Sequence, residues 1–222
     1  MRITISKENY LKAIAEAEGE GETVIAATLA RWLKVSAPAV TMAIRRLKRD
    51  GLIRVSTEGE ITLKKEGREI ADRVLQRHHL IERMLTEIFG MEWYKVHDEA
   101  EQLEHAVSAD FERRLIERLG RSEACPHGNE AGVNSPKDRR DRGWTPLNEL
   151  APGATSRVMS VFERDRSLLE YLDALGIRPS AELEMLTRNY DDTLTLKIAG
   201  KSVQLGAAAA SKVWVGTRDN GS

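Results

Sequence analysis

Residues 97–105, His-Asp-Glu-Ala-Glu-Gln-Leu-Glu-His, constrain this chain more than any other stretch. Wound as a helix at about 100° per residue, they gather His97, Glu101, Glu104 and His105 into one arc. Ala100, Leu103 and Val107 form an adjoining apolar arc, so the ligand-type groups lie at the edge of a buried face. Earlier in the chain His78 and Glu82 repeat the i, i+4 arrangement beside the apolar row Ile81, Met84, Leu85 and Ile88. Two helices packed through these rows bring imidazoles and carboxylates together, a donor set that suits Mn(II), Fe(II) or Zn(II). Ordinary solvated helix charge accounts for either pair alone; the two together point to metal.

The 222 residues are 41% hydrophobic and 31% charged, which describes a soluble globular chain with room for one large or two small cores. No apolar run approaches the roughly 20 residues of a membrane span. The first residues lack a secretion-signal pattern, so a cytoplasmic protein is expected. A single cysteine, Cys125, fits a reducing compartment and cannot form an internal disulfide. The net charge of −1 conceals segregation. Residues 31–54 carry seven basic side chains against the one acid Asp50, whereas residues 78–120 carry ten acids against five bases. The basic segment points to nucleic acid.

Helical spacing predicts a first helix over residues 8–18, a second marked by Val24, Ala27, Leu29, Ala30 and Leu33, and a third ending near Asp50. Ser36 offers an N-cap oxygen to the third helix and Pro38 falls in its first turn. The intervening Lys34-Val35-Ser36 is short enough for a helix-turn-helix. Two β-prone runs, 52–55 and 61–63, follow around a turn-rich segment and read as a wing. Val40, Ala43, Ile44 and Leu47 would be buried. Ala37, Thr41, Arg45 and Lys48 would face a major groove, with Arg46 and Arg49 free to meet phosphates.

Residues 65–89 form a long amphipathic stretch, and 93–107 and 110–119 complete a helical segment. Its apolar surface exceeds what one helix layer hides, which argues for a homodimer. Residues 120–143 are polar, with prolines and four glycines, and read as a linker that contains the pair Cys125 and His127. From Trp144 the period becomes that of strands: 155–162, 182–187, 194–198, 202–205 and 212–215, with a helix over 167–175. Five short strands in a small region suggest a small barrel.

Taken together, Val35 to Thr41 entering the third helix, Arg77 to Arg83, Val96 to Glu101 and Leu103-Glu104-His105 resemble the diphtheria-toxin-repressor family of iron- and manganese-dependent transcriptional repressors. Leu147 to Gly153 and Leu175 to Pro179 resemble the SH3-like, FeoA-type domain that ends many members. The resemblance implies a mainly α chain with β: a winged helix-turn-helix domain (1–73), a helical metal-binding and dimerisation domain (74–120), a linker (121–143) and an SH3-like β-barrel (144–217).

It also implies two metal sites per subunit. The core site maps onto Asn9, Glu101, Glu104 and His105. A second site maps onto His78, Glu82 and His97, joined by an acidic residue aligned with Asp165, and some manganese-type members add a Cys-x-His pair that matches Cys125 and His127. Whether His78 serves one site or bridges both stays open at this stage. Glu101 stands where iron-type members place cysteine, and a hard carboxylate favours Mn(II), with Fe(II) as the alternative cofactor. Asn9 stands where manganese-type members carry aspartate, so one charge is missing. The resemblance also matches Ser36, Pro38 and Thr41 to the family's DNA contacts on the recognition helix, where Met42 replaces the glutamine of iron-type members.

The expected function is a metal-dependent repressor of metal-homeostasis genes. It would act as a homodimer on palindromic double-stranded DNA operators, with no organic cofactor, no membrane association and no enzymatic activity. Two alternatives are a winged-helix regulator switched by a small organic ligand and a dimetal carboxylate enzyme. The enzyme needs paired Glu-x-x-His motifs on facing helices, and the single near match is Glu101 to Glu104-His105.

Overall fold

A computed structural model describes residues 3–120, 124–130 and 135–216. The chain opens with α1 (Ile5–Gly19), capped by the Thr4 side chain, then α2 (Ala26–Leu33) and α3 (Ala37–Arg49). Lys34 takes a left-handed conformation at φ 53°, which turns the chain sharply from α2 into α3. Ser36 occupies the N-cap position of α3 with extended backbone, but its hydroxyl makes no capping bond, unlike the sequence expectation. Strands β1 (Ile53–Val55) and β2 (Ile61–Leu63) pair antiparallel as the wing, and Ile61 N–H donates to Val24 O to fasten it to the helices.

α4 (Lys65–Glu87) spans about 34 Å at 1.5 Å per residue and serves two cores. Its first turns contribute Ile70 and Ala71 to a cluster with Leu11, Ile14, Leu29, Val40 and Leu47. Its last turns give Leu80, Ile81, Met84 and Leu85 to a second cluster with Val96, Ala100 and Leu115, from α5 (Val96–Leu103) and α6 (Ala109–Leu119). Gly67 is needed at the first of these junctions, because a Cβ there would lie 2.2 Å from Leu52 O. α5 is shorter than residues 93–107. Trp93 instead reaches away, donating its indole N–H to Asp173 Oδ1 at 2.6 Å and packing with Tyr94 against the C-terminal core.

The segment read as a linker is partly structured. Residues 121–123 and 131–134 lie outside the described residues. Within the rest, Cys125 and His127 are buried and α7 (Pro136–Asp141) forms with Ser135 as its cap. Arg139 is buried over the Trp214 ring and paired with Glu20 at 3.0 Å. Polarity there has two sources: Arg139 is buried in an ion pair, whereas Lys137, Arg140, Asp141 and Arg142 are exposed to solvent.

The C-terminal part contains β3 (Thr145–Pro146), β4 (Thr155–Val161), α8 (Arg166–Ala174), β5 (Glu182–Arg188), β6 (Leu194–Ile198), β7 (Lys201–Leu205), α9 (Ala207–Ala210) and β8 (Val213–Gly216). The six strands make one antiparallel sheet in the order β3-β8-β4-β5-β6-β7. The connection from β4 to α8, Phe162-Glu163-Arg164-Asp165, points back to the helices, and Phe162 packs on the N-terminal core. No described helix is long and apolar enough to cross a membrane.

Candidate metal centre and nucleic-acid interface

α1 is nearly enclosed: Tyr10, Leu11, Lys12, Ala13, Ile14 and Ala15 are all buried. It packs on α4 and reaches the α5 region through ion pairs of Lys12 and Glu8, and α4 supplies His78 and Glu82, each fully buried. These two residues, His97 of α5 and Glu163 of the β4–α8 connection offer ligand atoms that all lie within 4.8 Å of one another. His78 Nε2 is 3.0 Å from both Glu82 Oε1 and His97 Nδ1, and His97 Nδ1 is 3.7 Å from Glu163 Oε1.

His127 joins the same cluster, its Nδ1 3.4 Å from Glu82 Oε1 and 3.5 Å from Glu163 Oε2. Its Nε2 lies 2.9 Å from Trp93 O, so an N–H there donates to the carbonyl and Nδ1 is the nitrogen that faces the carboxylates. Cys125 Sγ is 3.5 Å from Glu163 Oε2, and His79, Glu82, Cys125 and Glu163 form a second overlapping group. Gly128 makes this loop possible. At φ +80° it sits so close to β4 that a Cβ would come 1.9 Å from Met159 O.

Asp165 is not in the cluster. Its carboxylate accepts from Leu168 N at 3.0 Å and caps α8, a role that two residues of chain separate from Glu163. Glu163 takes the place given to Asp165 because it ends the β4 turn facing the helices. The sequence reading missed it, although an acid two residues before a helix cap was visible.

Charge in the cluster is set by burial working against ion pairing. Burial raises the Glu82 and Glu163 carboxyls, but the surrounding imidazoles win: Glu82 falls well below the usual range, and Glu163 is lowered to about 2 despite the repulsion of Glu82. Burial lowers His97, yet Glu101, Glu82 and Glu163 lift it to about 10. Burial, with Glu82 and Glu163 adding to it, pushes the Cys125 thiol well up, keeping it protonated.

A second constellation lies on the other side of His78. Asn9, Lys12 and Glu16 of α1, with Glu101 and Glu104, line a cavity of about 230 Å³. Glu104 is buried, and His105 Nε2 stands 3.3 Å from Glu104 Oε1 while His105 Nδ1 stands 3.1 Å from Glu8 Oε2. Glu101 is more exposed and does not contact Glu104 or His105 through any described hydrogen bond; it meets Arg164 Nη1 at 3.1 Å and His97 Nε2 at 3.6 Å. His78 has Nδ1 2.7 Å from Glu104 Oε2, while Nε2 faces Glu82, so its two nitrogens look into different constellations.

Lys12 was not singled out in the sequence. Its ammonium lies 2.8 Å from Glu104 Oε2 and 3.0 Å from His78 Nδ1, with Glu101 and Glu16 each at 3.9 Å. Burial pulls its pKa down, and Glu16, Glu104 and Glu101 more than restore it, so it stays charged. Glu8 and Arg164 were also missed.

A donor set made for a cation is recognisable by buried acceptors that the protein leaves unused. Asn9 Oδ1, Glu82 Oε2, His97 Nε2 and His105 Nε2 are buried without a hydrogen-bond partner among the described residues. All five histidines of the chain stand in or beside these constellations. The residues present therefore fit divalent metal ions.

On α3, Val40, Ala43 and Leu47 are buried and Ile44 is half-buried. Ser36, Ala37, Pro38, Thr41, Arg45, Arg46, Lys48 and Arg49 are all exposed. Thr41 Oγ1 donates to Ala37 O at 3.0 Å, leaving its methyl and lone pairs outward, and Met42 is 50% exposed between the basic side chains.

Comparison with known proteins matches three families along the chain. These are an iron-dependent repressor N-terminal DNA-binding domain over residues 2–60, an iron-dependent repressor metal-binding and dimerisation domain over 64–131, and a FeoA domain over 145–216. The diphtheria toxin repressor of Corynebacterium efficiens is 35% identical over 188 residues, 81% of this chain and 82% of that one. The iron-dependent repressor IdeR of Mycobacterium tuberculosis is 34% identical over 191 residues, covering 81% and 83%. Among solved structures, a manganese-dependent transcriptional repressor in complex with manganese superposes with a TM-score of 0.84 at 32% identity, covering 95% of this chain and 99% of that one.

Proposed function

The chain belongs to the diphtheria-toxin-repressor family of metal-dependent, DNA-binding transcriptional repressors, and from that premise we propose that it is a homodimer whose hold on a palindromic operator is set by Mn(II), with Fe(II) as the competing activator. One observation carries this reading. α1, the first helix of the winged domain, buries the unused Asn9 Oδ1 on the same cavity that Glu101 and Glu104 of the dimerisation helices line.

In this reading Asn9, Glu101, Glu104 and His105 hold the core ion. His78, Glu82, His97 and Glu163 hold a second, with His127 and Cys125 beside it. A bound divalent ion supplies positive charge that lets carboxylates on separate elements converge. The residues do the rest: Asn9 ties α1 to α5, and α1 carries the packed α2–α3 pair with it, so the spacing of two recognition helices follows the core site. By linkage, operator and metal tighten each other equally, with a coupling of roughly 1–3 kcal/mol.

Glu101 supports Mn(II), because a carboxylate is a harder ligand than a thiolate. Exposed Ile88, Phe89, Leu103 and Phe111 on and beside α4 to α6 support a dimer seam in this helical region. The division of labour we propose is DNA reading by 1–73, metal binding and dimerisation by 74–120, connection by 121–143, and a metal-site contribution from 144–217.

The test is anaerobic operator binding with chelator and with Mn(II), Fe(II), Co(II) and Zn(II), for wild type and Glu101→Cys. Binding that requires added metal, at a lower free concentration of Mn(II) than of Fe(II), with Glu101→Cys shifting the preference toward Fe(II), is expected. Equal binding in chelator would overturn the reading.

A further inference from the structure

Lys12 stands in the core constellation as a cation would. Its ammonium is surrounded by Glu104 Oε2 at 2.8 Å, His78 Nδ1 at 3.0 Å, and Glu101 Oε1 and Glu16 Oε1 at 3.9 Å. These groups come from α1, α4 and α5, the elements whose convergence the core site depends on. Lys12 is 3% exposed, so its charge is held by the surrounding groups and not by solvent. His78 Nδ1, the nitrogen that could have joined the two constellations, has the ammonium beside it.

Charge counting points the same way. The ion-pair network of the core ligands holds the carboxylates Glu8, Glu16, Glu101 and Glu104 and the cations Lys12 and Arg164, while Lys34, which also lines the cavity, is exposed and outside the described ion pairs. With neutral imidazoles the set carries two net negative charges, which one divalent ion neutralises. Without Lys12 the set would carry three, and with an acid in its place four, enough for a pair of ions. The ligand atoms left unused agree: Asn9 Oδ1 and His105 Nε2 lack hydrogen-bond partners among the described residues, whereas the Glu104 Oε2 and His78 Nδ1 side is filled by Lys12.

We propose that Lys12 is a resident cation of the core site, which limits that site to a single divalent ion and keeps His78 from bridging it to the second cluster. The inference rests on the metal-dependent reading above and deepens it. Lys12 repels an incoming ion and thereby sets the concentration at which the core site responds, because like charges a few ångströms apart in a weakly screened interior oppose each other strongly.

The test is Mn(II) uptake by the full chain, measured by equilibrium dialysis with metal analysis, together with low-temperature electron paramagnetic resonance, for wild type, Lys12→Arg and Lys12→Glu. Wild type and Lys12→Arg are expected to bind the same number of ions with a spectrum of isolated Mn(II). Lys12→Glu is expected to bind one ion more per chain, with a spectrum broadened by two ions roughly 4 Å apart. An unchanged count and spectrum in a Lys12→Glu protein that melts cooperatively overturns the inference, as does a coupled pair already present in wild type.

If Lys12→Glu does not fold, Lys12→Met decides. Core-site affinity for Mn(II) tighter by on the order of 10-fold than in wild type and Lys12→Arg supports the inference, and equal affinities overturn it. Wild-type protein that takes up no Mn(II) would overturn the functional reading and this inference together. Wild-type uptake with metal-dependent operator binding, but no effect of Lys12, overturns this inference alone.

Discussion

Arg164 Nη1 lies 2.7 Å from Glu16 Oε2, so an ion pair fastens the loop leading out of β4 to the first helix of the DNA-binding region. The same guanidinium stacks over the Trp32 ring at 5.0 Å and reaches Glu101 at 3.1 Å. Glu163, one residue earlier, belongs to the buried metal-type cluster. Two consecutive side chains thus connect the C-terminal sheet to both constellations and to the DNA-binding helices.

Arg164→Met should loosen this docking. Losing charge-assisted hydrogen bonds from a largely buried group costs roughly 1–3 kcal/mol. Hydrogen exchange should show faster opening of α2 and of the β4–α8 connection, with the strands of the C-terminal sheet unchanged. Uniform protection in both proteins would remove Arg164 from this role.

The recognition helix makes a prediction in salt. Arg46 is exposed, its Nε turned to Met42 O at 3.3 Å, which leaves the remaining guanidinium nitrogens for phosphate. Arg46→Ala should weaken binding to all operators alike and reduce the slope of log affinity against log salt by about 1. Thr41→Val should instead change base preference and leave the slope alone. A slope unaltered by Arg46→Ala places the phosphate contact elsewhere.

His97 gives the pH dependence. Its pKa rises from 6.5 to about 10 in the folded, metal-free chain, so the stabilisation it provides is full below about pH 6.5 and is lost as pH climbs toward 10. Metal-free protein should therefore lose melting temperature across that interval. A metal ion bound to His97 needs the neutral imidazole, so the loaded form should not share this loss, and uptake at pH 7 should release a proton. Calorimetry in buffers of different ionisation enthalpy measures that release, and a heat independent of buffer would contradict it.

Much of this arrangement is legible in the sequence, for identifiable reasons. The spacing of Val40, Ala43 and Leu47 fixes which face of α3 is buried, and the i, i+4 pair His78 and Glu82 lies on a helix as its period demands. What could not be read is long-range. Lys12 looks like a surface charge until α1 is packed on α4 and α5, and Glu163 differs from Asp165 only by the direction in which the β4 turn leaves the sheet. The polar stretch around Cys125 looks like a linker because periodicity does not reveal that Gly128 lets it press against Met159. Trp93 breaks from its helix because the C-terminal core offers Asp173 and apolar contacts.

The proposed coupling puts metal and operator in one equilibrium through α1. It is tested most directly by titrating Mn(II) into the full chain alone and in the presence of a saturating operator fragment. Operator is expected to tighten Mn(II) binding by about 5- to 150-fold, and Mn(II) to tighten operator binding by the same factor. Identical Mn(II) titrations with and without operator would contradict it.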